Sequence, residues 1–130
     1  MSCKVLMIDD DARYLDLLAM MLEDHGFEVK SCTKPDQFIT ALNEFKPDAL
    51  VIDILIGSIS GIDLAGSIRL DHMYADIPIV FMSAWTGVGH HRLPSNSNKL
   101  YKPFTVRELT DSIETLLVKS GKLRVEKYDD

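Results

Sequence analysis

The sequence predicts an α/β fold built on a parallel sheet, and three observations carry that prediction. Short apolar runs, the mark of strands buried on both faces, recur along the chain. Segments with apolar residues at helical spacing alternate with these runs, which is typical of βαβ units with right-handed crossovers. Acidic, hydroxyl or basic residues follow the ends of four of the runs. A length of 130 residues suits one domain with one core.

Five segments are predicted to be strands. Their apolar or β-branched residues are bounded by turn-forming or charged residues. In chain order they are Val5–Ile8, Phe27–Cys32, Ala49–Ile52, Ile77–Met82 and Lys99–Tyr101. Pro78 precedes or opens the fourth of them, a position where a strand tolerates proline.

Four helices are predicted from apolar residues that recur on one face. These faces comprise Leu15, Leu18, Met21 and Leu22; Phe38, Ala41, Leu42 and Phe45; Ile62, Ala65 and Ile68; and Val106, Leu109, Ile113, Leu116 and Leu117. Gly26 ends the first helix, and Pro47 follows the end of the second. Thr105 and Glu108 form the sequence signature of a capping box at the start of the last helix, which Gly121 closes.

The segment 85–98 interrupts this alternation. It contains two glycines, a proline and a cluster of serines and asparagines, all of which oppose a full helix. We therefore expect the fourth helix, between the fourth and fifth strands, to be short, irregular or absent. The predicted domain covers residues 1–121, and residues 122–130 form a polar tail.

Composition excludes several classes of protein. The net charge of −6 argues against a nucleic-acid-binding surface, which would be basic. No apolar stretch approaches the ~20 residues that span a bilayer, and the N-terminus lacks a signal-peptide pattern. Cys3 and Cys32 would lie at opposite ends of parallel strands, so we expect reduced thiols and a cytoplasmic protein with no nucleic-acid or membrane partner.

Three carboxylates are predicted to lie at one edge of the sheet. Asp9 and Asp10 follow the first strand and Asp53 follows the third, and in parallel sheets ligands bind at the carboxyl ends of the strands. Clustered carboxylates repel each other unless a cation lies among them. Oxygen ligands of this kind suit Mg²⁺, to which the backbone carbonyl of Leu55 could add another oxygen. The alternative role for Asp9 and Asp10, capping the first helix, suits Asp11 better.

The same edge would carry a hydroxyl and an ammonium. Ser83 follows the fourth strand and Lys102 follows the fifth. A carboxylate can attack phosphorus to form an acyl phosphate, and a divalent cation, an ammonium and a hydroxyl would stabilise the transferred group. This set predicts phosphoryl transfer to an aspartate.

The motifs resemble those of response-regulator receiver domains of two-component signalling, over nearly the whole chain. The matching residues are Asp9-Asp10, Asp53, Gly61, Ser83-Ala84 and Lys102-Pro103-Phe104. The resemblance implies a flavodoxin-like three-layer sandwich whose five-stranded parallel sheet has the order 2-1-3-4-5. It also implies a cis bond between Lys102 and Pro103.

The resemblance further implies a role for each matching residue. Asp53 would accept a phosphoryl group from a sensor histidine kinase or a histidine phosphotransfer protein, and Asp9 and Asp10 would hold Mg²⁺. Ser83 would move toward the phosphoryl group and Lys102 would pair with it. The domain would act as a switch rather than an enzyme, although it assists its own phosphorylation, and an unknown downstream protein would read the change.

Three positions depart from the family pattern. Ser83 replaces the usual threonine, a mild change that keeps the hydroxyl. Gly57 replaces the usual proline after the acceptor, which predicts a looser loop. Lys99 occupies the position of the usual aromatic switch residue, although Tyr101 has the same strand parity. Lys99 and the irregular segment between the fourth and fifth strands suggest one alternative, a pseudo-receiver that only binds proteins. A second is an aspartyl-phosphate phosphatase, which Leu55 disfavours because such enzymes usually carry a carboxylate there.

Four further side chains could contact a ligand or the phosphoryl group. His90 and His91 lack cysteine or acidic companions, so a surface role is favoured over a metal site. Trp85 and Leu55 flank the expected path of attacking water. We hypothesise that these two shield the acyl phosphate.

Overall fold

Strands and helices alternate along the chain as the sequence predicts. The computed structural model describes residues 3–84 and 93–121. In chain order its elements are β1 (Lys4–Ile8), α1 (Ala12–Asp24), β2 (Glu28–Cys32), α2 (Pro35–Phe45), β3 (Ala49–Asp53), β4 (Leu55–Ile56), β5 (Ile59–Ser60), α3 (Gly61–Arg69), a 3₁₀ helix (His72–Tyr74), β6 (Ile79–Ser83), β7 (Ser97–Tyr101) and α4 (Val106–Lys119).

Five of the strands form one parallel sheet in the order β2-β1-β3-β6-β7. Because β6 and β7 are the fourth and fifth of the predicted strands, the expected order 2-1-3-4-5 is confirmed. The carboxyl ends of the three central strands, β1, β3 and β6, therefore lie side by side. This register brings the residues that follow β1, β3 and β6 to one edge of the sheet.

Helices cover both faces of the sheet and complete a three-layer sandwich. On one face, α2 and α3 pack on alternate residues such as Leu6, Ile52 and Phe81. On the other, α1 and α4 pack on residues such as Met7 and Val51. The predicted helix faces are buried, except for four positions at their margins that are only partly buried. These are Met21, Phe45, Ile62 and Val106.

The helix ends follow the predicted signals. Asp11 caps α1 by accepting a hydrogen bond from the Tyr14 amide at 3.1 Å, and Gly26 follows the helix with φ of 88°. Thr105 and Glu108 form the reciprocal capping box of α4. Local capping chemistry therefore positions both helices of this face, including the first turn of α1 beside the acidic residues.

A small hairpin follows β3 and includes Gly57. Strands β4 and β5 pair antiparallel, with Leu55 opposite Ser60 and Ile56 opposite Ile59. Gly57 has φ of 61°, which suits glycine in a two-residue turn. These two strands are not predicted from the sequence, because strands of two residues are too short to show alternation.

The chain between β6 and β7 contains no helix over residues 93–96. The rest of the segment in which a short, irregular or absent helix is expected, residues 85–92, lies outside the described residues, as do Trp85, His90, His91 and the tail 122–130. In the part of the chain that is described, no helix is long and apolar enough to cross a membrane. Cys3 and Cys32 lie at opposite ends of the β1–β2 pair, as expected.

Candidate functional site

A cavity of about 600 Å³ opens at the carboxyl edge of the sheet. Every residue that the sequence nominates for the site lines it. These residues are Asp9, Asp10, Asp53, Leu55, Ser83 and Lys102. Asp11, Gly57, Ser58 and Ser60 also contribute, so the hairpin β4–β5 forms one wall of the cavity.

The three carboxylates form a tight acidic cluster. One oxygen from each of Asp9, Asp10 and Asp53 lies within 4.8 Å of the other two. Asp9 is 1% exposed and Asp53 is 7% exposed, whereas Asp10 lies at the surface. Like charges at this separation in a poorly solvated site repel strongly, and an all-oxygen set of this size suits a hard divalent cation.

Lys102 lies between the two buried carboxylates. Its Nζ donates hydrogen bonds to Asp9 Oδ2 at 2.6 Å and to Asp53 Oδ2 at 2.9 Å. The lysine side chain is only 18% exposed. The ammonium therefore offsets part of the repulsion within the cluster and sits beside the oxygens of Asp53.

Backbone amides donate hydrogen bonds to one further oxygen of each carboxylate. The Asp11 amide donates to Asp9 Oδ1 at 2.9 Å, and the Leu55 amide donates to Asp53 Oδ1 at 3.0 Å. The Gly57 amide donates to Asp10 Oδ2 at 3.2 Å. The β4–β5 hairpin thus donates hydrogen bonds to Asp53 and Asp10. A backbone amide orients each of the three carboxylates.

Burial and charge shift the pKa values of two of these groups in a consistent way. Burial raises the pKa of Asp9 above its ordinary value, and the hydrogen bond from Lys102 opposes that rise. For Lys102, burial lowers the pKa, but its hydrogen bonds and attractions to Asp9 and Asp53 together outweigh burial and raise it. Lys102 is therefore a firmly protonated cation at neutral pH.

Ser83 and Lys102 are brought together by the pairing of the last two strands. Ser83 lies opposite Tyr101 in the sheet, and its carbonyl oxygen accepts a hydrogen bond from the Lys102 amide at 2.8 Å. The following bond, Lys102–Pro103, is cis, as the resemblance implies. The hydroxyl-bearing residue and the lysine therefore enter the cavity from adjacent strand ends.

Lys99 and Tyr101 share one face of β7, as their parity predicts. The Lys99 ammonium lies 4.9 Å from the centroid of the Tyr101 ring, which is 44% exposed at the end of the strand. The position that usually carries the aromatic residue thus holds a cation that stacks on an aromatic ring two residues later.

Sequence reasoning missed two contributors to the site. Tyr14 lies beside Lys102, with its ring centroid 4.6 Å from Nζ. The hairpin supplies the Gly57 amide to Asp10. Helical periodicity places Tyr14 near the buried face of α1 but gives no signal that its ring meets a residue far along the chain. A tight Gly57-Ser58 turn was the available signal for the hairpin.

The chain matches the family model described as response regulator receiver domain over residues 5–114. It is 37% identical over 83 residues to protein RcaC of Microchaete diplosiphon, covering 64% of this chain and 13% of that protein. It is 28% identical over 121 residues to the phosphate regulon transcriptional regulatory protein PhoB of Pseudomonas aeruginosa, covering 90% of this chain. The matched region spans 52% of PhoB. The chain therefore spans about half the length of PhoB and a much smaller share of RcaC.

Solved structures share the fold. A response regulator receiver protein from Sinorhizobium medicae superposes with a TM-score of 0.74 at 27% identity, covering 89% of this chain and 94% of that one. The family match extends over most of the described residues and includes β1, β3, β6 and β7, which carry the cavity. The chain therefore belongs to the response regulator receiver domain family, the class of phosphorelay switches that its motifs resemble.

Proposed function

We propose that this chain is a cytoplasmic switch that accepts a phosphoryl group on Asp53 from a histidine kinase or a histidine phosphotransfer protein. The observation that carries the proposal is the position of the Asp53 carboxylate, which is buried in the cavity, lies 2.9 Å from the Lys102 ammonium and belongs to the acidic cluster. Phosphorylation would change the surface near β6 and β7 and thereby the binding of a downstream protein.

The chemistry is a transfer between two nucleophiles. A carboxylate oxygen of Asp53 bonds to phosphorus while the bond from phosphorus to the imidazole nitrogen of the donor breaks, and the donor keeps that electron pair. The Lys102 ammonium is placed to compensate charge on the transferred oxygens. Ser83 lies at the end of the neighbouring strand, where its hydroxyl could donate a hydrogen bond to the same group.

Mg²⁺ is the cation that the site suits. Asp9, Asp10 and Asp53 would hold it, with the Leu55 carbonyl as a further ligand, and its two charges would offset the negative charge of the acids and the phosphoryl group. The fit rests on the donor set, which is wholly oxygen, and on the excess of carboxylates over the single ammonium between them.

Phosphorylation is tested with acetyl phosphate, Mg²⁺ and intact-protein mass spectrometry. The wild type should gain the mass of one phosphoryl group, and Asp53→Asn should gain none. Asp63→Asn, which changes an exposed acid on α3, is the matched control and should behave like the wild type. A gain that persists in Asp53→Asn would disprove the assignment of the acceptor.

Metal binding is tested separately through stability. Mg²⁺ should raise the urea midpoint of the wild type because it binds the folded cluster and not the unfolded chain. Asp10→Asn should reduce that increase, while Asp63→Asn should preserve it. If Mg²⁺ leaves the wild-type midpoint unchanged at millimolar concentration, the proposed metal site is wrong.

A pseudo-receiver is the second candidate, and Lys99 is the observation that favours it. Lys99 stands where the family usually carries the aromatic switch residue, and its ammonium lies 4.9 Å from the centroid of the Tyr101 ring. A chain of this kind would bind its partner without phosphate. Absence of any mass gain, with partner binding intact in Asp53→Asn, would identify it.

A further inference from the structure

We infer that Tyr14 is a positioning residue for Lys102, and that the face of its ring holds the lysine ammonium between Asp9 and Asp53. The inference rests on the proposed function, in which Lys102 pairs with the transferred phosphoryl group. It adds a residue of α1 to a site that is otherwise built from strand ends and the loops after them.

The contact has the geometry of a cation–π interaction. The Lys102 Nζ lies 4.6 Å from the centroid of the Tyr14 ring, and the lysine side chain is 18% exposed. An ammonium within about 6 Å of a ring face is attracted by it, more strongly where water is excluded. Two carboxylates and one ring therefore surround the ammonium on three sides.

Tyr14 is itself held by two neighbours, Asp11 at its backbone and Phe104 at its ring. The Tyr14 amide donates to Asp11 Oδ1 at 3.1 Å in the first turn of α1. The ring meets Phe104 edge to face, with centroids 6.3 Å apart and planes inclined by 74°. Phe104 comes two residues after Lys102, so the same stretch of chain supplies both the lysine and the ring that supports Tyr14.

These contacts belong to a closed network that links Asp9, Asp11, Tyr14 and Lys102. Asp11 caps α1 through the Tyr14 amide, and its own amide donates to Asp9 Oδ1 at 2.9 Å. Asp9 in turn accepts the hydrogen bond from Lys102. The start of α1 therefore sets the carboxylate and the ring against which the ammonium rests.

A ring is needed because a lysine is a flexible residue. Its ammonium is attached through a flexible four-carbon chain and its N–H donors rotate freely, so two carboxylates alone allow it several positions. An apolar ring on the third side limits these to positions between Asp9 and Asp53. Loss of the ring should cost phosphorylation rate rather than the fold.

The kinetic test is a double-mutant cycle on phosphorylation by acetyl phosphate. Tyr14→Phe keeps the ring and should phosphorylate within about twofold of the wild type, whereas Tyr14→Leu keeps apolar bulk and should be about fivefold slower. In a Lys102→Met background, Tyr14→Leu should cause no further loss. Equal losses with and without the lysine would show that Tyr14 acts through the fold, and would overturn the inference.

A spectroscopic readout keeps the inference testable without phosphorylation. Ring currents should shift the Lys102 Hε NMR signals upfield in the wild type and in Tyr14→Phe, and the shift should vanish in Tyr14→Leu. If the wild type takes no phosphate but shows this pattern, the proposed function fails and the positioning stands. If the wild type is phosphorylated on Asp53 but the shift is the same in all three proteins, the positioning is wrong.

Discussion

Gly61 lies so close to Asp53 that a Cβ atom at position 61 would come 1.8 Å from the Asp53 carbonyl oxygen. The Gly61 amide also donates to the Ile54 carbonyl at 2.7 Å. The start of α3 therefore rests directly on the end of β3, where no side chain fits. This contact explains the glycine of the family motif in physical terms, because the backbone of residue 61 packs directly against the backbone of Asp53.

Gly61→Ala should lower the free energy of unfolding by roughly 1–3 kcal/mol, because the end of β3 or the start of α3 must shift to admit the methyl group. Urea denaturation measures the change. Gly66→Ala is the matched control, since a Cβ there meets nothing within 4 Å and α3 should gain up to about 1 kcal/mol from the better helix former. Equal effects of the two substitutions would contradict the close approach.

The stability of the metal-free protein should depend on pH through Asp9. Burial raises the pKa of Asp9, so the folded state keeps this proton at pH values where the unfolded state has lost it. Stability therefore falls as pH rises from the unfolded value of 3.8 through the raised pKa, and it stays reduced above that window.

Asp9→Asn should remove this dependence. In metal-free buffer at pH 7 the variant should be more stable than the wild type by about 1 kcal/mol. The reason is that the variant has no buried carboxylate charge at position 9, while Lys102 still donates its hydrogen bond to Asp53. The advantage should shrink as pH falls toward 3.8. Urea unfolding at several pH values measures it, with the exposed Asp111→Asn on α4 as control. An advantage that grows at low pH would refute the argument.

Leu55 should slow the loss of the phosphoryl group. Its side chain is 62% exposed and lines the cavity, and its own backbone amide donates to Asp53 Oδ1. Leu55→Asn should therefore speed dephosphorylation severalfold by admitting water, as measured by mass spectrometry after the phosphodonor is removed. Ile59→Asn, on the paired strand β5 and outside the cavity lining, should leave the rate unchanged. Trp85, the other residue expected to shield the acyl phosphate, lies outside the described residues.

Arg69 should be a large contributor to stability at the far end of α3. Its guanidinium donates to the carbonyls of Tyr74 and Ala75, which precede β6, and to those of Ser95 and Asn96, which follow it. These hydrogen bonds join α3 to the chain on both sides of β6. Arg69→Met should lower the free energy of unfolding by about 1.5–3 kcal/mol, since charge-assisted hydrogen bonds are lost. Arg107→Met, at an exposed position on α4, should change it by less than about 0.5 kcal/mol. Comparable losses would show that these contacts add little.

Local patterns in the chain were enough to predict the five strands of the main sheet, the helices α1 to α4, the capping residues Asp11 and Thr105, and the edge at which Asp9, Asp53 and Lys102 gather. Each of these follows from short-range chemistry: buried parallel strands are continuously apolar, caps need an oxygen at the helix start, and parallel strands end at one edge. Three-dimensional contacts between distant segments settled the rest. The Tyr14 ring on Lys102, the Gly57 amide on Asp10 and the Arg69 guanidinium on Ser95 each join residues that no periodicity relates. They exist because packing of the sheet brings separate crossovers together, and that packing has no signature in any single stretch of sequence.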